Sequence, residues 1–246
     1  MRISYTGIHS LMQCEYSYYL RYIKRVPILE SSASVYGTAI HRAIQLGYDN
    51  NLARDDWGKV FKSEWVSLTS KKDIVFAYDN EYLKKFKDGQ QMLIDYYDTF
   101  VKNTKNQPQM LEYFFGKDRT VTIGNHTIIG VIDQIDTKDN VIDYKSGVKP
   151  TQAKLDLDLQ FTIYSYAFRQ LFGRKEKCLI LRHLGTMKDL KTERTEEDFE
   201  VLAEEVDKID RRLKGKIFIR NLGRDCATCY FIEHCLGKVR KIGRSW

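Results

Sequence analysis

The chain has 246 residues, 43% hydrophobic and 30% charged, enough for one good core and typical of a soluble globular protein. No run is long and apolar enough to span a bilayer, and Met1-Arg2-Ile3-Ser4-Tyr5 opens without the apolar stretch of a secretory signal, so the expected compartment is cytoplasmic, with no membrane partner. The net charge of +7 favours a polyanionic partner, nucleic acid first among them.

In chain order, Ile8, Leu11, Met12, Tyr18, Tyr19 and Tyr22 recur at about the helical period, with Thr6 as a candidate N-cap. Tyr16 and Tyr19 share one face of that helix and, with Arg21, are read chiefly as packing residues. A second helix is expected over Tyr36–Leu52 and a third from near Tyr82 to Val101. The texture then changes. Segments 111–116, 119–123, 126–136 and 140–145 are rich in β-branched and aromatic residues and are separated by turn formers. A helix over Gln152–Phe172 follows, then strands at 177–184 and 187–193, then a charged helix over Glu196–Lys214 capped by Thr195. The expected class is α/β (α+β) in one domain: a helical lobe over 1–105, a core over 106–214 and a terminal segment over 215–246.

Two carboxylates end apolar strand patterns, in Gly130-Val131-Ile132-Asp133 and Val141-Ile142-Asp143-Tyr144-Lys145. Strand side chains alternate, so Asp143 and Lys145 share a face. An odd-length turn sets Asp133 across from Asp143 and turns Asp136 away. Facing carboxylates repel, and a hard cation such as Mg²⁺ relieves that repulsion while leaving room for phosphate oxygens. A nearby lysine stabilises charge developing on a phosphate. Taken alone, the same residues also suit a solvated hairpin. Three more features bear on the choice: His41 on a helix with the small residues Gly37 and Ala39, Gln160 and Tyr164 at helical i, i+4 spacing, and Glu112 at the start of the first strand, an extra ligand or a surface charge.

There are five cysteines, and an odd count inside a cell argues against a disulfide framework. Cys226, Cys229 and Cys235 form C-x2-C-x5-C, and a closed metal site needs a fourth ligand. Cys14 is the candidate for it, His234 being crowded against Cys235 and Cys178 reading as a small core residue. Zinc and an iron–sulfur cluster both fit at this point. Lys238, Arg240, Lys241, Arg244 and Trp246 make a basic tail able to track a backbone or stack a base.

Gly37…His41, Gly130…Asp133, Asp143-Tyr144-Lys145 and Gln160…Tyr164 occur in an order that resembles the RecB-type nucleases of the PD-(D/E)XK superfamily, over roughly residues 8–235. The resemblance implies a restriction-endonuclease-like core with a mixed central sheet flanked by helices. It implies Mg²⁺ or Mn²⁺ on His41, Asp133, Asp143 and the Tyr144 carbonyl, a catalytic Lys145, and Gln160 and Tyr164 supporting the site and the DNA. Position 143 holds Asp where many members have Glu, and the pattern accepts both. The cysteines resemble the iron–sulfur staple of AddB-type nucleases, with related arrangements in CRISPR-associated adaptation nucleases and the exonuclease V family. That likeness implies a [4Fe–4S] cluster on Cys14, Cys226, Cys229 and Cys235. The expected function is an exonuclease acting on DNA ends or single strands, leaving 5′-phosphate and 3′-hydroxyl ends. The alternatives are a non-cleaving DNA-binding subunit and a zinc-stabilised interaction protein of recombination, repair or CRISPR adaptation. The sequence has no G-x-x-x-x-G-K-[ST] loop, so unwinding would fall to a helicase partner.

Overall fold

The computed structural model describes residues 1–70, 73–102, 107–223, 226 and 229–237. The tail residues Lys238, Arg240, Lys241, Arg244 and Trp246 lie outside them. The chain opens on a short strand, β1 (Arg2–Ser4), that runs into α1 (Tyr5–Gln13). The Ser4 hydroxyl accepts from the Gly7 N–H, so the cap is Ser4 rather than the expected Thr6. The opening helix is not continuous. It breaks at Cys14, whose backbone is extended, before α2 (Glu15–Tyr18) and a π-helical turn over Tyr19–Ile23. Tyr16 packs on Tyr19, and Tyr19 stacks on Phe218, so this face is filled by the protein itself.

After β2 (Glu30–Ser31) comes α3 (Ser32–Asp49), which starts four residues ahead of the expected Tyr36 because Ser31 caps it at Ser34. Its start is also pinned by a buried Glu81, which accepts from the Ser32 hydroxyl and the Ala77 N–H. An unanticipated helix, α4 (Arg54–Ser70), buries Trp57, Phe61, Trp65 and Leu68 at helical spacing. The strand β3 (Ile74–Val75) pairs in parallel with β2, and α5 (Glu81–Tyr96) ends in a second π-helical turn over Tyr97–Val101.

The strands fall close to expectation: β4 (Pro108–Phe115), β5 (Val121–Ile123), β6 (His126–Asp136) and β7 (Asn140–Lys145). The expected helix over 152–172 is two helices, α6 (Gln152–Asp156) and α7 (Leu159–Phe172). Asp158 breaks it: its side chain accepts the Gln160 N–H and starts a new helix. The buried Arg194 holds the break, donating to the carbonyls of Leu155 and Asp158. Then follow β8 (Cys178–His183), β9 (Lys188–Thr192), α8 (Glu196–Gly215), capped by Thr195 as expected, and α9 (Ile232–Leu236).

Among the described residues, seven strands form one mixed sheet in the order β1-β6-β7-β8-β9, with β4 and β5 also paired to the long β6. β7 and β8 are parallel, joined through α6 and α7, and the β6–β7 and β8–β9 pairs are antiparallel. The mixed sheet flanked by helices is the architecture expected of the PD-(D/E)XK fold. Alternation splits the core in two. On one face Val141, Leu179 and Leu181 pack with residues of α1, α7 and α8. On the other, Ile142, Tyr144 and Ile180 pack with α3, α4 and α5. α1 thus lies across the sheet from α3, α4 and α5. Among the described residues no helix is long and apolar enough to cross a membrane.

Candidate active site

The β6–β7 hairpin sets the centre of the site. Gln134 faces Ile142 and Ile135 faces Val141, so one step further along that register Asp133 stands across from Asp143. The three-residue turn between the strands gives the odd count this needs. Asp136 serves the turn: its carboxylate accepts the N–H groups of Lys138 and Asn140 and the Asn140 side chain. Both Asp133 and Asp143 are buried. Asp133 is held by the Tyr144 N–H at 2.7 Å.

One group of side chains gathers on Asp133. His41, brought in by α3, places Nδ1 at 3.4 Å from Asp133 and 3.7 Å from Glu112, and Nε2 at 3.2 Å from the Tyr144 carbonyl. Glu112 is interior to β4, not at its start, and its neighbours Leu111 and Tyr113 pair with Gln134 and Ile132. Its backbone is left-handed, with φ of +46°, a conformation that costs a non-glycine residue energy and is found at sites where the surroundings impose it. Ligand atoms of His41, Glu112 and Asp133 all lie within 4.8 Å of one another, a group able to hold a metal ion. Burial alone would make His41 harder to protonate, but the Asp133 carboxylate, with Glu112 and Asp143 behind it, raises its pKa to about 10.

A second group gathers on Asp143. Lys145 Nζ sits 2.9 Å from Asp143 Oδ2 and donates to Gln160 Oε1 at 3.0 Å. Gln160 Nε2 donates to Asp143 Oδ1 at 3.0 Å and to the Tyr164 hydroxyl at 2.7 Å. The α6–α7 break therefore matters to the site, since it puts Gln160 in the first turn of α7, facing the strand end. Burial, with the Asp133 carboxylate adding to it, raises the Asp143 carboxyl to about 7 against the pull of Lys145. Burial works to neutralise Lys145, but the Asp143 carboxylate outweighs it and raises the ammonium pKa. His183, at the end of β8, contacts the Gly147 carbonyl at 2.8 Å and so ties down the loop that leaves Lys145.

The structure thus brings His41, Asp133, Asp143, Tyr144, Lys145, Gln160 and Tyr164 to one end of the sheet. It adds Glu112, beside His41, as an equal member of the carboxylate group. The residues present fit a hard divalent cation. Carboxylate and imidazole donors converge, and the buried Asp143 carboxylate faces Asp133 with only the Lys145 ammonium and the Gln160 amide to offset its charge.

The cysteines lie elsewhere. Cys14, Cys226, Cys229 and Cys235 line one cavity of about 430 Å³ between the α1–α2 break and residues 220–222 and 229–232. Burial pushes the Cys229 thiol up, and the neighbouring Cys14, Cys226 and Cys235 add to the effect. Cys178 is partly buried and packs against the other core, as a small core residue does.

A search of curated proteins finds no match to the chain. The sequence profile of the PD-(D/E)XK nuclease superfamily, in contrast, matches residues 2–236, nearly the whole chain, and the protein belongs to that superfamily.

Proposed function

We propose that this nuclease is a Mg²⁺- or Mn²⁺-dependent DNA exonuclease of the RecB type, hydrolysing phosphodiesters at DNA ends or in single strands. The observation that carries the reading is the meeting of two groups at one strand end: ligand atoms of His41, Glu112 and Asp133 within 4.8 Å, and Lys145 within 3.0 Å of both Asp143 and Gln160. His41, Asp133 and Asp143, with Glu112 and the Tyr144 carbonyl, would hold the cation. When bound, it would lower the pKa of water and offset charge on the scissile phosphate. Lys145 keeps its proton and presents it to the phosphate. Gln160 fixes the lysine and Asp143 relative to each other. The Tyr144 N–H keeps one Asp133 oxygen engaged, so that carboxylate is oriented before substrate arrives.

The reading extends to a [4Fe–4S] cluster on Cys14, Cys226, Cys229 and Cys235, supported by their shared cavity. Zinc on the same four cysteines is the alternative occupant. The role is structural: it ties the α1–α2 break to the end of the fold. DNA is the substrate partner, and a helicase, recombinase or CRISPR adaptation subunit would supply any unwinding.

The test is digestion of 5′- and 3′-labelled single- and double-stranded DNA with Mg²⁺ and with Mn²⁺, comparing wild type with Asp143→Ala. Wild type is expected to cut from an end and the variant to be inert. If both bind DNA and neither cuts, the non-cleaving subunit is the correct reading.

A further inference from the structure

Among the described residues, the helices contain five interior glycines, and their surroundings differ. A Cβ on Gly47 would lie 2.7 Å from the Trp57 ring, and one on Gly89 would lie 2.1 Å from the Phe61 ring, so helix packing demands glycine at both. Gly7 and Gly58 sit in ordinary contact with their neighbours. Gly37 is different: among the described residues a Cβ there would meet nothing within 4 Å. Its φ does not fall in the left-handed range either, since it lies inside the 18-residue α3. Neither packing nor backbone conformation requires glycine at that position, and glycine is the poorest helix former after proline.

Its place in the fold supplies the reason. Gly37 precedes His41 by four residues and therefore lies one turn away on the same helix face. His41 reaches Asp133, Glu112 and the Tyr144 carbonyl. The open space at Gly37 thus lies one helical turn from the side chain that meets the carboxylates. Gly130, three residues before Asp133 on β6, makes the contrast. A Cβ there would strike the Phe115 ring at 2.6 Å, so Gly130 serves the fold.

We infer that Gly37 is kept bare for the substrate: the sugar–phosphate strand passes against the backbone of α3 at Gly37 on its way to the carboxylates. Backbone of another chain approaches a helix closely only where no side chain intervenes. The inference rests on the nuclease reading, but it is read out separately from cutting.

The experiment compares wild type, Gly37→Ala and Gly37→Leu in three measurements. These are thermal unfolding, binding of a short fluorescein-labelled single-stranded DNA in Ca²⁺, and cleavage of the same DNA in Mn²⁺. Alanine favours the helix and meets no clash, so Gly37→Ala should melt about 2 °C higher than wild type. Its DNA binding should weaken about tenfold, and that of Gly37→Leu by about a hundredfold. Stability and binding moving in opposite directions is the signature of a substrate contact. Variants that bind like wild type overturn the inference while leaving the nuclease reading intact. A Gly37→Ala protein that melts several degrees lower shows that the glycine serves the fold, and also overturns it. A wild type that does not bind the strand overturns both.

Discussion

The carboxylate end of the sheet and the cysteine cavity are both ligand-rich, and they are built in opposite ways. At the carboxylate end every side chain is placed by a regular element, and its neighbours already engage it. Asp133 is held by Tyr144, Asp143 by Lys145 and Gln160, and Tyr144 through its ring by the helical face. At the cavity, Cys14 sits in a helix break, Cys226 in a 3-10 turn and Cys229 outside any helix or strand, and only Cys235 is carried by an α-helix, the short α9. The first region is formed by folding alone and would bind its cation afterwards. The second has thiols that converge without holding one another, so the proposed cluster would complete the fold there. The comparison implies that damage at the first end costs chemistry and damage at the second costs stability.

Lys145→Ala tests the first half most severely. Losing a preorganised cation beside the reacting phosphate should lower the cleavage rate about 10³-fold. Binding of DNA in Ca²⁺ should change far less, and the melting temperature little. A variant cutting within a few-fold of wild type would remove Lys145 from the mechanism. Cys14→Ala tests the second half. Opening a staple between residue 14 and residues 226–235 should cost about 4 kcal/mol, or a melting temperature lower by about 10 °C. The visible absorbance and bound iron of anaerobically purified protein should fall with it, while the surviving folded fraction still cuts. A colourless wild type with one zinc per chain would replace the cluster, and an unchanged melting temperature would remove the staple.

How far the sequence reveals these two regions follows from the range of the interactions involved. Asp133 opposite Asp143 is legible because strand alternation and a three-residue turn are local facts. Gln160 with Tyr164 is legible because helical spacing is local too. Glu112 is underweighted for the opposite reason. Its role depends on the pairing of β4 with a strand twenty residues on and on a left-handed backbone that no propensity favours. β1 escapes because three residues carry no period, and they become a strand only by pairing with Thr127–Ile129. The α6–α7 break escapes because Arg194, which holds it, comes from beyond β9. The cysteine spacing is legible as chemistry, yet the cavity depends on where Cys14 meets the chain's other end.

Tyr96→Phe sharpens the comparison by reaching the metal group from a distance. The Tyr96 hydroxyl lies 3.2 Å from those of both Tyr48 and Tyr144, and the Tyr144 hydroxyl donates to Gln134. This buried relay fixes the ring of Tyr144, whose main chain holds Asp133 and meets His41. Removing one hydroxyl should raise the half-saturating Mn²⁺ concentration about tenfold. The maximal rate at saturating Mn²⁺ should stay close to wild type. A fall in maximal rate with unchanged Mn²⁺ dependence would show that the relay does not act through the metal group.

The smallest effect is a pH dependence that only the carboxylate end should show. In metal-free protein the Asp143 carboxyl is raised from its usual 3.8 to about 7, so the folded state holds that proton more tightly than the unfolded state does. Its contribution to stability is present below about pH 4 and is lost as pH rises through about 7. His41, raised from 6.5 to about 10, contributes stability that is full below pH 6.5 and lost as pH rises through about 10. Both terms make the chelated protein less stable towards alkaline pH, and its melting temperature should fall between about pH 6 and 9. A cation competes with those same protons, so Mn²⁺ should bind about tenfold more tightly per pH unit for each proton displaced. The rise in melting temperature on adding Mn²⁺ should therefore grow over the range in which the chelated protein weakens. Asp143→Asn should flatten the lower part of that dependence and His41→Gln the upper part, while Cys14→Ala should shift the whole curve without changing its slope. A Mn²⁺ effect independent of pH would mean that the cation does not take the place of these protons, and the carboxylate end would lose its claim to be the metal site.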